Sequence, residues 1–200
     1  MGTDWTRTRR MVLRERFSEA EVEDFAQELG WTRQGVDPAD PEEGIDYHVF
    51  WAPPGAALAL HYTEDDLAGD SYVMVIGKDA AAVRGAQALV EPRLKTWRSA
   101  ELLAEVDRAV GPVALARAVL RAGLGAPEEF NEEFFARIGS ALQHPDRLVR
   151  ETAVWAVTFS PYAEYQPALT ALRDGDEDPD VRANAEILLE GFDEAEIRKQ

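Results

Sequence analysis

Short runs of alternating apolar and polar residues recur along the first half of the chain, and such runs are typical of half-buried β-strands. The first run, residues 9–17, places Met11, Leu13 and Phe17 on one face. The other runs predict strands at Tyr47–Ala52, Ala57–Tyr62 and Tyr72–Ile76. Because the last of these runs is apolar on both faces, we expect it to lie in the interior of a sheet.

Two helices are predicted between and after these strands. Ser18 has the position of an N-cap and is followed by the spacing of a capping box. Asp79 has the position of an N-cap for the second helix, which Pro92 should end or kink. The segment Gln34–Ile45 is rich in proline, glycine and acidic residues, so we predict a surface loop there. The resulting order, β-α-β-β-β-α over residues 1–98, indicates an α+β domain.

From residue 99 onward, apolar residues recur every three to four positions in six short stretches, which predicts six helices. Val110 and Phe130 are among the positions that this pattern assigns to the helical core. The turns between the stretches are short, and short turns favour antiparallel packing of neighbouring helices. We therefore predict an all-α domain over residues 99–200, built from about three helical hairpins.

Two segments of this second half, 32 residues apart, read Val-Arg-x-x-Ala: Val149–Ala153 and Val181–Ala185. Each segment follows a Pro-Asp pair, and a turn and a leucine-rich helix separate the two copies. An acidic-proline turn, a Val-Arg-x-x-Ala helix, a short turn and a second helix together resemble the HEAT repeat family in its short bacterial form. The resemblance covers residues 144–192, depends on helix spacing alone over residues 99–143, and is absent from residues 1–98.

The resemblance implies an α-solenoid, in which stacked hairpins bury surfaces that no single hairpin can bury. It also implies that Arg150 and Arg182 form a structural ladder along the stack. Both arginines can reach carboxylates and carbonyls of neighbouring turns. Asp146 and Asp180 stand beside these turns, where a carboxylate accepts hydrogen bonds from the first N–H groups of a helix. We therefore assign a structural role to these four residues.

The balance of charge narrows the range of partners. The sequence contains 21 Lys and Arg residues against 38 Asp and Glu residues, which gives a net charge of -17. Because this charge repels phosphate backbones and anionic lipid, we expect a basic protein as the partner, and neither nucleic acid nor a membrane. The chain has no cysteine, which excludes a disulfide scaffold and thiolate metal ligands. No secretory leader and no spanning apolar run is found, so we expect a cytoplasmic protein.

The strongest candidate for catalysis lies on the predicted sheet. With a four-residue turn between the second and third strands, His48 lies opposite His61, and Asp46 shares their face. Two imidazoles and a carboxylate form the donor set of facial-triad metal sites. Histidines that make ordinary hydrogen bonds on a strand are the competing interpretation, and we predict no metal or other cofactor. Motifs for nucleophilic and phosphate chemistry are absent, so we predict that the chain is not an enzyme.

Four aromatic residues lie around the turns of the second half, and aromatic side chains often anchor protein interfaces. Packing between helices is the alternative explanation for such residues. The candidate partner-binding residues are Trp155, Phe159, Tyr162 and Tyr165.

These observations favour a non-catalytic protein–protein interaction module that binds a basic protein. An immunity or inhibitor protein, which masks a basic toxin through complementary charge, is a specific version of this function. Two alternatives stay open: a metal-dependent enzyme that uses Asp46, His48 and His61, and a small-molecule sensor. The sensor requires a cavity between sheet and helices, lined by Trp51, Tyr62 and Tyr72. The sequence leaves the oligomeric state and the identity of the partner open.

Overall fold

Six strands and eight helices form within residues 5–40 and 42–197, the part of the chain that the computed structural model describes. The chain divides into two units, Met1–Arg98 and Ser99–Gln200. All the strands belong to the first unit, so this unit is α+β, and the described part of the second unit is helical. The division falls where the hydrophobic pattern of the sequence changes from alternation to a helical period.

The first unit contains an antiparallel sheet with the strand order β1-β6-β5-β4-β3, and β2 also pairs with β6. The apolar strand β6 is flanked on both sides, as its sequence predicts. The hydrogen-bonded pairs thus place the most apolar strand where both of its edges are protected. The strands are β1 (Thr6–Arg7), β2 (Met11–Val12), β3 (Thr32–Asp37), β4 (Tyr47–Ala52), β5 (Leu58–Asp65) and β6 (Asp70–Gly77).

Helices α1 (Glu19–Glu28) and α2 (Ala80–Arg93) contribute their apolar stripes to the core of this unit. Asp79 caps α2 as predicted, because its carboxylate accepts hydrogen bonds from the N–H groups of Ala81 and Ala82. Pro92 lies within the last turn of α2, which ends one residue later. The sheet residues of the core include Val49, Trp51, Leu60, Tyr62, Val73 and Val75.

The predicted strand over residues 9–17 is wrong in its second half. Met11 and Leu13 are buried, but Phe17 has a φ of +56° and is 70% exposed. Ser18 precedes α1 without capping it, since its hydroxyl donates a hydrogen bond to the carbonyl of Glu15. The chain turns away from the sheet here, so the alternating pattern outlasts the strand that it predicts.

The predicted loop over residues 34–45 is wrong for residues 34–37, where β3 pairs with β4 along the edge of the sheet. Five of the six residues of β3 are exposed, so the strand lacks the apolar alternation that marks a half-buried strand. A bulge between Arg33 and Gly35 interrupts the pairing. A Cβ atom at Gly35 would lie 2.7 Å from the ring of Phe50, so a close approach of the two strands accounts for this glycine.

The six α-helices of the second unit correspond to the six predicted stretches. Two positions assigned to the core lie outside these helices: Val110 is 90% exposed, and Phe130 precedes the N-cap residue Asn131. A short 3₁₀ helix (Ala163–Tyr165) adjoins α7. The helices are α3 (Ser99–Arg108), α4 (Pro112–Gly125), α5 (Glu132–Leu142), α6 (Arg147–Phe159), α7 (Gln166–Gly175) and α8 (Pro179–Ile197).

These helices pack in consecutive pairs, α3 with α4, α5 with α6 and α7 with α8. Contacts also connect α4 to α6 and α6 to α8, while α5 contacts both α3 and α7. The sequence pattern grouped α6 with the leucine-rich helix that follows it, but that helix, α7, pairs with α8. No helix within residues 5–40 and 42–197 has both the length and the apolar character needed to cross a membrane.

Candidate functional site

A buried ion pair connects α6 to the turn before α8. The Arg150 guanidinium donates from Nε to Oδ2 of Asp176 at 2.7 Å and from Nη2 to Oδ1 at 2.9 Å. Its Nη1 donates to the carbonyls of His144 and Pro145 at 3.0 and 2.8 Å. Only 9% of the Arg150 side chain and 2% of the Asp176 side chain are exposed. The hydrogen bonds from Arg150 hold the pKa of Asp176 below its ordinary value.

The other residues of the predicted ladder have different roles. Asp146 caps α6 by accepting from the N–H of Leu148 at 2.9 Å, and Asp180 accepts from Arg147 at 3.4 Å. Arg182 donates to the carbonyl of Asp176 at 2.6 Å. Arg150 therefore binds the carboxylate of Asp176 and, at 3.5 Å, that of Glu177, neither of which was predicted, and not that of Asp146 or Asp180. Asp176 lies in the acidic run before Pro179. That run contains four carboxylates, so the sequence does not show which of them binds Arg150.

Two of the candidate partner-binding aromatics are buried. Tyr162 is 4% exposed and Tyr165 is fully buried. Their rings stack with centroids 5.6 Å apart, and the Tyr162 hydroxyl donates to the carbonyl of Pro127 at 2.7 Å. Burial raises the pKa of Tyr162 to about 12 and raises that of Tyr165 further. Both rings therefore contribute mainly to packing within the helical unit.

Phe130 and Phe135 complete this aromatic cluster with Tyr162 and Tyr165. Phe130 meets Phe135 at 5.6 Å and Tyr162 edge-on at 5.4 Å, and Phe135 meets Tyr165 at 5.1 Å. Because Phe130 precedes the N-cap of α5 and Phe135 lies four positions inside the helix, the two rings form a hydrophobic staple. Trp155 and Phe159, the other predicted anchors, lie on α6 and are half-buried.

A solvent-open cleft of about 530 Å³ adjoins the aromatic cluster, and we call it the aromatic cleft. Phe130 and Tyr162 of the cluster line it, and Phe130 is 49% exposed. The acidic side chains Glu128 and Glu164 line the same cleft, as do Leu188 and Phe192 of α8. The sequence analysis missed Phe192 and Glu164 because the cleft joins segments that are distant along the chain.

The candidate metal-binding residues Asp46, His48 and His61 do not come together in the register considered above. His48 pairs with Thr63 and His61 pairs with Phe50, so the register differs by two residues from the predicted one. The His48 and His61 rings nevertheless meet diagonally, with Nε2 of His48 at 2.8 Å from Nδ1 of His61. The acid at this pair is Asp37, whose Oδ2 lies 3.0 Å from Nδ1 of His48.

Asp46, the candidate third ligand, forms a different contact: its Oδ1 accepts a hydrogen bond from the N–H of Asp66. Among residues 5–40 and 42–197, no group of three or more His, Asp or Glu side chains is arranged to hold a metal ion. His61 stacks on Phe50 with ring centroids 5.4 Å apart. Burial, followed by the charge of His48, lowers the pKa of His61 to about 4. His61 is therefore uncharged at neutral pH, and its ring lies within hydrogen-bonding distance of the His48 ring.

The cavity that a sensor requires does not assemble from the three predicted residues. Trp51 and Tyr62 are fully buried within the core of the first unit, where the indole N–H donates to Glu23 at 2.7 Å. Tyr72 lies next to the core residue Val73 on β6, so its side chain belongs to the opposite face of the sheet. The three rings therefore do not line one space.

No protein-family model, no curated protein and no solved structure matches this chain. Function is therefore inferred from the chain's own geometry. The observations that bear on it are the buried Arg150–Asp176 pair, the pairing of the helices and the aromatic cleft.

Proposed function

We propose that this protein is a non-catalytic binding module whose helical unit is a HEAT-like α-solenoid that recognises a basic protein. The observation that carries this proposal is the Arg150–Asp176 pair, which ties α6 to the turn between α7 and α8. A buried guanidinium that reaches from one helix into the turn of the next hairpin stabilises the contact between two consecutive hairpins of a stack. This is the ladder role that the HEAT resemblance implies for Arg150.

The helix contacts support a repeating arrangement. Three hairpins follow one another, and the second helices of successive hairpins, α4, α6 and α8, contact one another in order. In a stack of this kind each hairpin contacts mainly its neighbours, and the assembly presents an extended face to a partner. Protein recognition is the activity that such a face supports without any catalytic group.

The charge of the helical unit favours a basic partner. Residues 99–200 contain 10 Lys and Arg against 20 Asp and Glu, and therefore carry -10 of the net charge of -17. Several of the acids lie exposed on α5 and α8, among them Glu132, Glu133, Glu186 and Glu190. A surface of one sign steers an oppositely charged protein and speeds its association. An inhibitor or immunity protein that masks a basic toxin is the version that uses this property most directly.

Capture of the partner tests the proposal. Tagged full-length protein serves as bait in a lysate of its source cells, and each captured protein is purified and titrated by calorimetry. We expect one basic protein to bind directly at low salt and to dissociate at about 0.5 M NaCl, where charges are screened beyond about 5 Å. Loss of catalytic activity of that partner on binding would identify the inhibitor version.

A pair of matched variants makes the test specific. One variant reverses four exposed acids of the helical unit, and the other reverses four exposed acids of the first unit, so both carry the same net charge. Only the first should lose the partner. Equal loss in both variants, or capture that resists high salt, would overturn the proposal. The reversed positions are Glu129, Glu132, Glu186 and Glu190 in the first variant, and Asp24, Glu42, Glu43 and Asp66 in the second.

A further inference from the structure

We propose that the aromatic cleft binds a lysine or arginine side chain of the partner, an inference that rests on the proposed function. The cleft combines aromatic rings with carboxylates in a concavity of about 530 Å³. Aromatic faces attract cations, and the attraction grows when the cation loses water. A basic side chain of a protein is the occupant that matches both features.

The aromatic wall is held in place before any ligand arrives. Phe130 is fixed against Phe135 and against the edge of Tyr162, while 49% of its surface stays exposed. Tyr162 is itself fixed by the bond from its hydroxyl to Pro127 and by stacking on Tyr165. Rings that are already immobilised lose little conformational entropy on binding, so more of the contact energy appears as affinity.

The charges of the cleft all have one sign. Glu128 and Glu164 line it, and none of its lining residues that the structure describes is Lys, Arg or His. Glu164 is an exposed residue, so its carboxylate can meet a cation at the rim of the cleft. A lysine or arginine can bury its methylene stem against Leu188 and Phe192 and keep its charged end at that rim.

The two other large grooves of the helical unit have different chemistry. A groove of about 790 Å³ between α3 and α4 is lined by Arg108, Arg117 and Arg121, which disfavour a cation. A groove of about 580 Å³ beside α5 and α7 shares Glu164 with the cleft, but Phe135 is the single aromatic residue in its described lining, and its Arg150 and Asp176 already neutralise each other. The aromatic cleft is thus the one of these three that suits a basic side chain.

An NMR titration of the isotopically labelled full-length protein tests the proposal. The probe is a blocked five-residue peptide with one lysine between glycines, and the matched probe carries norleucine in place of lysine. Both are added to about 20 mM, because a single side chain gives only millimolar affinity. We expect saturable shifts of amides near Tyr162, Glu164 and Phe192 with the lysine peptide, and at least about threefold weaker binding of the norleucine peptide.

Variants of the cleft and a control outside it complete the test. Glu164→Gln and Phe130→Leu should each weaken binding of the lysine peptide about threefold. Glu186→Gln removes an exposed acid of α8 that does not line the cleft, and it should leave the affinity unchanged. Equal binding of the two peptides, absence of saturable shifts at the cleft, or unchanged affinity in both cleft variants would overturn the proposal.

Failure of the cleft proposal and failure of the proposed function give different results. A basic partner that binds the wild type and both cleft variants equally, but not the four-site charge reversal, would overturn the role of the cleft alone. Lysine-selective shifts without any basic partner in the cell would overturn the proposed function and leave the cleft as a cation site.

Discussion

Arg150 donates a cluster of hydrogen bonds between α6 and the turn before α8. Its guanidinium meets both oxygens of Asp176 and two backbone carbonyls, and the planar fork of donors suits this set. Both charged side chains are shielded from water. Because a buried charge without its partner is costly, neither member of the pair can be removed alone without a large loss of stability.

Replacement of Arg150 tests this dependence. Arg150→Ala should lower the free energy of unfolding by about 3–5 kcal/mol, because Asp176 would stay buried without its hydrogen-bonded ion-pair partner. Arg150→Lys should restore only part of the loss, since one ammonium group does not match two carboxylate oxygens and two carbonyls. Urea unfolding followed by circular dichroism measures both effects.

Arg173→Ala is the matched control for this prediction. Arg173 pairs with the exposed Asp174, and exposed ion pairs contribute little to stability. The buried pair also makes stability depend on pH, because the pKa of Asp176 in the folded protein is lowered. The stabilisation by ionised Asp176 is present above the unfolded pKa of about 4 and is lost as the pH falls below that value. Equal losses for Arg150→Ala and Arg173→Ala at pH 7 would contradict the role of the buried pair.

His61 makes the stability of the first unit depend on pH. Its pKa in the folded protein is about 4, against about 6.5 in an unfolded chain. Between these values the unfolded state binds a proton that the folded state does not. The contribution of His61 to stability should therefore fall as the pH drops from about 6.5 to about 4. Thermal unfolding across this range measures the fall.

The variant His61→Phe isolates this contribution. Phenylalanine keeps a flat ring beside Phe50 and removes the titration. Asp65 acts in the opposite direction, because burial raises the pKa of its carboxyl to about 6. Subtracting the free energy of unfolding of the variant from that of the wild type removes the effect of Asp65. This difference, wild type minus variant, should decrease as the pH falls. A difference that is constant between pH 6.5 and 4 would refute the prediction.

At the scale of elements, alternation in the sequence predicts which face of the sheet a side chain occupies, but it does not predict the register of the strands. Alternation places six residues of β4 and β5 on one face, of which Tyr47 and Leu58 are half-buried and the other four fully buried: Val49, Trp51, Leu60 and Tyr62. The predicted register was nevertheless off by two residues. Because side chains alternate with a period of two, a shift by two residues leaves every side chain on the same face, so the pattern is silent about such a shift.

Gly123 shows a second element-scale feature, the close packing of α4 on α6. A Cβ atom at this position would lie 2.6 Å from the carbonyl oxygen of Ala156, which is backbone and cannot rotate away. The glycine thus sets the distance between two helices that the proposed solenoid stacks directly. Its place in a Gly-Leu-Gly segment indicated only that a helix ends nearby.

Gly123→Ala should therefore lower the free energy of unfolding by about 1–3 kcal/mol, as overpacking does. Chemical unfolding of the purified protein measures this change. Gly139→Ala is the control, because Gly139 lies within α5 and its added Cβ would meet nothing within 4 Å. The control should be neutral or stabilising by up to about 1 kcal/mol, since alanine is the better helix former. Destabilisation by both substitutions would show that helix propensity, and not the contact with Ala156, decides the effect.

At the scale of the whole molecule, the dominant feature is an excess of carboxylates. The net charge of -17 is spread over both units, with -7 in residues 1–98 and -10 in residues 99–200. Ion pairs between exposed side chains contribute little each, so repulsion among the excess acids outweighs them at low salt. The same repulsion would be relieved by a basic partner.

Raising the ionic strength should therefore raise the melting temperature of the free protein. Scanning calorimetry between about 10 mM and about 500 mM NaCl spans the range over which screening changes most. The four-site reversal of the helical unit is the control, because each reversal adds two charges and four of them take -17 to -9. This variant should gain less from salt, and an equal or larger gain would contradict the dominance of repulsion.

Local pattern was enough to determine the α+β character of residues 1–98, the six helices after residue 99 and the faces of β4 and β5. Each of these depends on whether a side chain prefers water, a preference that every residue carries with it. Partners depended on the tertiary structure: Asp176 for Arg150, Asp37 for His48, and the joining of Phe130, Glu164 and Phe192 in one cleft. These groups are distant in sequence, so only the packing of the folded chain, which fixes distances of a few ångströms, decides which of many similar side chains meet.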